Sequence, residues 1–126
     1  MHGLVSTVFR AADPELRVVA VVDPDEEGVR SRMESEAADV VFYPNLNRMV
    51  RSAKLDAVAI GTRCNLHAPL AAKAAAYDLP LYLEKPVAVS MRQATALERA
   101  FESSSCEVVV SFPLRVSPLC SLAKKY

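Results

Sequence analysis

Five short runs rich in β-branched residues recur along the chain, and stretches with helical patterning separate them. The runs are RVVAVVD (17–23), DVVFY (39–43), DAVAIG (56–61), LPLYLE (79–84) and CEVVVSF (106–112). Each is apolar nearly throughout instead of alternating, the pattern of a strand covered on both faces of a parallel sheet. The intervening segments support this. Residues 25–37 open with acids in the first turn, which suits the helix dipole. Residues 45–53 have Asn45 as a cap. Residues 66–77 place His67, Leu70, Ala71, Ala74 and Ala75 on one stripe. Residues 90–103 begin with Ser90 and Gln93 at capping-box spacing and put Met91, Ala94, Leu97 and Phe101 on the buried side. Alternating strands and helices predict an α/β fold, a Rossmann-like, doubly wound, mostly parallel sheet with flanking helices.

The N-terminal residues qualify that picture. Leu4, Val5, Val8, Phe9 and Ala12 share a helical face, so a helix is expected to end before Asp13-Pro14. A helix leading into the first run should itself follow a strand. The sheet is therefore expected to be incomplete at the N-terminus, either with a gap between the 17–23 and 56–61 runs or with those two strands closing on each other.

Composition excludes several functions. The 126 residues suffice for one domain with one core. Fifteen basic residues balance fifteen acidic ones, which gives no sign of a nucleic-acid partner. No apolar run approaches the roughly 20 residues of a membrane helix. The N-terminus has no basic segment ahead of an apolar stretch, so it makes a poor signal peptide. Cys64, Cys106 and Cys120 form no disulfide framework and read as reduced thiols of a cytoplasmic protein. Cys64 and His67 stand at C-x-x-H spacing, but without a second ligand pair zinc is not expected.

Two strand ends carry residues that a buried strand does not need. Asp23 ends the first run. An acid there either caps the following helix, with Pro24 at its first position, or accepts the ribose hydroxyls of a dinucleotide about 20 residues beyond a glycine-rich turn. With only Gly3, Gly28 and Gly61 in the chain, no G-x-G-x-x-G is present. The second strand end is LYLEKPVAVS (81–90), where an apolar run stops at Glu84-Lys85-Pro86. Proline keeps the preceding residue out of helical geometry, so Lys85 stays extended. A lysine so held can polarise a carbonyl or stabilise an alkoxide, and Glu84 can hold its charge in place.

The constellation VVAVVDPD, AVAIGTRCNLHAPLAAKAA, LYLEKPVAVS and VVVSFPLRVSP resembles the cofactor domain of the Gfo/Idh/MocA oxidoreductases, over nearly the whole chain and in the right order. The resemblance implies an NAD(P)-binding domain that serves hydride transfer between nicotinamide and a sugar- or cyclitol-type secondary alcohol. It implies roles for matching positions. Asp23 holds the adenosine ribose and, followed by Pro-Asp, favours NAD over NADP. Gly61 and Thr62 line the cofactor at the end of the fourth family strand, and His67 faces the same cleft. Lys85 is catalytic beside the nicotinamide, with Glu84 beneath it and Pro86 fixing the turn. Arg115 lies on the crossover toward a substrate domain. Arg63 and Cys64 replace the Pro and Asn common in the family, so that loop is expected to differ in shape.

The resemblance also implies a fragment. Residues 1–118 form a partial Rossmann domain without the first strand and its glycine loop, and residues 119–126 begin a missing substrate domain. The expected partners are a nicotinamide dinucleotide and a small polyol or sugar, with homo-oligomers only for the full-length protein. The chain alone is expected to bind NAD weakly or not at all. A catalytically dead nucleotide-binding or interaction module is the alternative.

Overall fold

The computed structural model describes residues 13–33 and 38–124. The helix expected before Asp13, Gly3, and the end of the 25–37 segment lie outside the described residues. The chain divides into two compact units, residues 1–56 and 57–126.

In the first unit, β1 (Ala20–Val21) pairs in parallel with β2 (Val41–Phe42), with Ala20 opposite Val41 and Val21 opposite Phe42. Helix α1 (Glu26–Met33) joins them. Asp25 is its cap, because its Oδ1 accepts the Gly28 N–H at 3.0 Å. Pro24 therefore stands ahead of the cap and not at the first helical position. Met33 and Val40 form a small core with Val18, Val21, Val29 and Phe42 against them. Arg30 lies over the Phe42 ring, 4.2 Å from its centroid, while its Nε donates to Glu26 Oε1 at 2.9 Å. Helix α2 (Leu46–Ser52) starts at Asn45, whose Oδ1 accepts the Arg48 N–H at 3.0 Å, and buries Leu46 and Met49.

In the second unit, β3 (Val58–Ile60), β4 (Leu81–Glu84) and β5 (Val108–Ser111) form one parallel sheet in that order. The register pairs Ile60 with Leu83 and Glu84 with Ser111. Among the described residues only β4 has a neighbour on both sides, and its inward residues are the most deeply buried of the described strands: Leu81 is 2% exposed and Leu83 1%. Helix α3 (Cys64–Ala75) packs on β3 and β4 through Ala68, Ala71, Ala74 and Ala75. Alanine lets a helix lie close to a sheet. Helix α4 (Met91–Glu102) packs on α3, capped by Ser90. A 3₁₀ turn (Pro113–Val116) and helix α5 (Pro118–Ala123), capped by Ser117, follow β5.

Three sequence expectations change. The apolar runs yield shorter ladders: of 17–23 only Ala20–Val21 pair, and both are half-buried, with β2 the one strand paired to β1 among the described residues. Val109 on β5, an edge strand, is 64% exposed, so continuous apolarity did not mean cover on both faces. Met91 is 81% exposed, because the first helical residue of α4 falls off the stripe that continues through Ala94, Leu97 and Phe101. Among the described residues the strands form two ladders, β1–β2 in the first unit and β3–β4–β5 in the second.

Candidate cofactor site

Parallel strands bring their carboxyl ends to one edge of a sheet, and ligands of open α/β sheets bind outside that edge. In the second unit this gathers Gly61 and Thr62 after β3, Lys85 and Pro86 after β4 and Phe112 to Arg115 after β5, with Glu84 as the last residue of β4. Asp23 belongs to the first unit, just beyond β1.

Lys85 is exposed and its ammonium makes no ion pair among the described residues. The Glu84 carboxylate, expected to hold that ammonium, instead accepts the backbone N–H of Lys85 at 3.2 Å through Oε2. A side chain that turns back on its own chain end is a shorter reach than one that follows the lysine outward. The Lys85–Pro86 peptide is cis.

His67 is 2% exposed. Its Nδ1 lies 2.8 Å from the Pro86 carbonyl oxygen and its Nε2 3.0 Å from that of Thr62. Carbonyls only accept. A neutral ring therefore donates to one of them and an imidazolium donates to both. The ring joins the turn after β3 to the loop after β4.

Gln93 makes a second join that the capping-box spacing only half revealed. Its N–H donates to Ser90 Oγ at 3.3 Å, as expected of the third helical residue. Its Oε1 accepts the Val89 N–H at 3.0 Å, and its Nε2 donates to the Asn65 carbonyl at 3.0 Å. The sequence held a signal for this bond in Pro69, which brings no N–H to the helix.

Asp23 is half-buried, and its Oδ1 accepts the Asp25 N–H at 2.9 Å. Its Oδ2 has no partner among the described residues. Arg115 is exposed, with its guanidinium over the Phe112 ring, 4.9 Å from the centroid. Among the described residues no three His, Cys, Asp or Glu side chains cluster as a metal would need, and no helix is long and apolar enough to cross a membrane.

The model of the GFO_IDH_MocA oxidoreductase family, a NAD-binding Rossmann fold, matches residues 4–112. The chain belongs to this family. Over 57 residues it is 40% identical to a 4-hydroxy-tetrahydrodipicolinate reductase of Listeria welshimeri, a match covering 45% of this chain and 22% of that protein. In structure it resembles the myo-inositol 2-dehydrogenase of Lactobacillus plantarum, with a TM-score of 0.77 at 19% identity over 87% of this chain and 32% of that one. It also resembles the myo-inositol dehydrogenase of Lactobacillus casei, solved with NAD(H) and myo-inositol, with a TM-score of 0.74 at 24% identity over 86% of this chain and 33% of that one. The two dehydrogenases establish the fold, and the chain spans about a third of their length.

Taken unit by unit, Asp23 of the first keeps a carboxylate oxygen without a partner among the described residues, which fits a hydroxyl, and Lys85 of the second makes no ion pair among them, which fits an anionic or polarised oxygen.

Proposed function

We propose that this chain is the cofactor domain of an NAD-dependent oxidoreductase acting on a sugar- or cyclitol-type secondary alcohol. Exposed Lys85 on the carboxyl edge, free of an ion pair among the described residues, is the observation that carries the reading. The complex of the Lactobacillus casei relative with NAD(H) and myo-inositol supports the choice of cofactor and substrate class.

In this reading Asp23 accepts the adenosine ribose hydroxyls through Oδ2, and its free carboxylate favours NAD over NADP, whose extra phosphate it would repel. Gly61 and Thr62 pass the cofactor by their backbone. Bound there, the nicotinamide supplies the hydride acceptor. The Lys85 ammonium would stand beside the substrate oxygen and stabilise its negative charge as the hydroxyl proton passes to water or to a base of the substrate domain and the carbon's hydride goes to the nicotinamide. Glu84 holds the Lys85 backbone, and Pro86 keeps that residue extended. Arg115 lies at the exit of the domain. The full reaction needs a glycine-rich phosphate loop and a substrate domain, so the whole protein is proposed to be longer than residues 1–118 of this domain.

Titration of NAD into the ¹⁵N-labelled chain tests the reading. Weak binding that moves the amide signals of Asp23, Gly61, Thr62 and Lys85 is expected. Shifts confined to other surfaces would overturn it. In a version carrying a glycine loop and a substrate domain, Lys85→Ala is expected to lower turnover by ~10²-fold or more with NAD affinity little changed. Near-normal turnover would return Lys85 to a solvated surface lysine.

A further inference from the structure

Pro69 lies inside α3, where it brings no N–H. The carbonyl four residues earlier, that of Asn65, therefore loses its helical donor. Gln93 of α4 replaces it, giving its Nε2–H to that carbonyl at 3.0 Å while its Oε1 holds the Val89 N–H at 3.0 Å. One amide thus spans from the first turn of α3 to the end of the loop that carries Lys85. His67 makes a parallel connection nearer the strands, from α3 to the Pro86 carbonyl at 2.8 Å. Both side chains are used up on backbone groups of the two segments.

We propose that His67 and Gln93 are positioning residues, which lock the Lys85 loop (84–90) to the turn that carries Gly61 and Thr62 (61–65), and that Pro69 frees the Asn65 carbonyl for this lock. The purpose of the lock rests on the cofactor reading; its geometry does not. A loop carrying a cation for a reacting oxygen must be held within fractions of an ångström, and supporting hydrogen bonds are the usual means. The Lys85 side chain itself makes no ion pair among the described residues that could do so.

Nuclear magnetic resonance on the full 126-residue chain at neutral pH tests this. A two-bond ¹H–¹⁵N spectrum of the His67 ring should show Nδ1 protonated, because only then does the ring donate to Pro86. Gln93→Glu keeps the acceptor for Val89 and removes the donor for Asn65. It should lower the order parameters of residues 85–89 from the rigid level of about 0.85 toward about 0.6, with the fold intact. A ring that carries its proton on Nε2 alone would overturn the proposal. So would unchanged order at 85–89 in Gln93→Glu, which would leave both residues as packing. Adding NAD to the same samples separates the two readings. If the lock is seen but NAD moves nothing at 61–65 or 84–86, the lock stands and the cofactor reading fails. If NAD moves those signals and the lock is absent, the reverse holds.

Discussion

At the amino edge of the β3–β4–β5 sheet the Asp78 carboxylate accepts from the Ser104 hydroxyl at 3.0 Å and the Ser105 N–H at 2.8 Å. Ser104 Oγ also lies 2.6 Å from the Ala75 carbonyl and accepts the Cys106 N–H at 3.0 Å. Cys106 in turn gives its thiol hydrogen to Leu79 at 2.9 Å. At the carboxyl edge the Glu84 carboxylate takes only the N–H of Lys85, and the lysine has no ion pair among the described residues. One edge closes its polar groups on one another. The other uses neutral side chains, His67 and Gln93, to fix the backbone and leaves its cation open. Evenly spread polar residues in the sequence thus hide a division between an end whose polar groups are closed on one another and an end whose cation stays open.

The strand common to both edges provides the largest test. Leu83→Ala removes a side chain that is 1% exposed and is expected to cost about 2–5 kcal/mol in urea unfolding. Val109→Ala, on the exposed face of β5, is expected to change stability by less than about 0.5 kcal/mol. Equal losses would mean that β5 is as covered as β4.

Pro69→Ala at the carboxyl edge is expected to raise stability, by up to about 3 kcal/mol, since it restores a helical N–H and removes the ring clash. The restored N–H then competes with Gln93 for the Asn65 carbonyl. Higher stability together with looser 85–89 signals would mark an edge that gives up stability for position. A loss of stability would break the comparison.

Ser104→Ala at the amino edge is expected to cost about 1–3 kcal/mol, because the Ala75 carbonyl and the Cys106 N–H lose their shared partner. Order at 85–89 should not change. If it fell, the two edges would not be independent.

The smallest expected effect is that of acid on Asp78. The Ser105 N–H first, then the hydroxyls of Ser104 and Ser105, hold its carboxyl below the ordinary value of 3.8. A depressed folded value means a contribution that is fully present above the ordinary carboxylate range and is lost as pH falls through the lowered value. Asp78→Asn should therefore flatten the acid limb of a stability-against-pH curve, with stability slightly lower than the parent at neutral pH and converging with it in acid. An acid limb identical to that of the parent chain would remove Asp78 from this role. Burial first, then the charges of Asp78 and Glu107, push the Cys106 thiol up, so Cys64, which is exposed, is expected to react first with a thiol reagent.

The sequence by itself determined the order of strands and helices, because apolar runs and helical stripes are local patterns. It also placed the caps at Asn45 and Ser90, where a side chain meets an N–H three residues on. The end of β4 at Glu84 was legible for the same reason, whereas the β1 ladder stops at Val21, two residues before Asp23. Tertiary structure decided what the pattern could not carry. Strand neighbours, not composition, left β4 buried and β5 exposed. Asp78 takes a φ of 53°, a left-handed conformation that aspartate tolerates, and its partners lie 26 and 27 residues away. His67 and Gln93 find their carbonyls across 19 and 28 residues of chain. Such bonds depend on where the fold brings two segments together. A sequence shows a donor such as Gln93 and an orphaned carbonyl such as that of Asn65, but only the packing of α4 on α3 joins them.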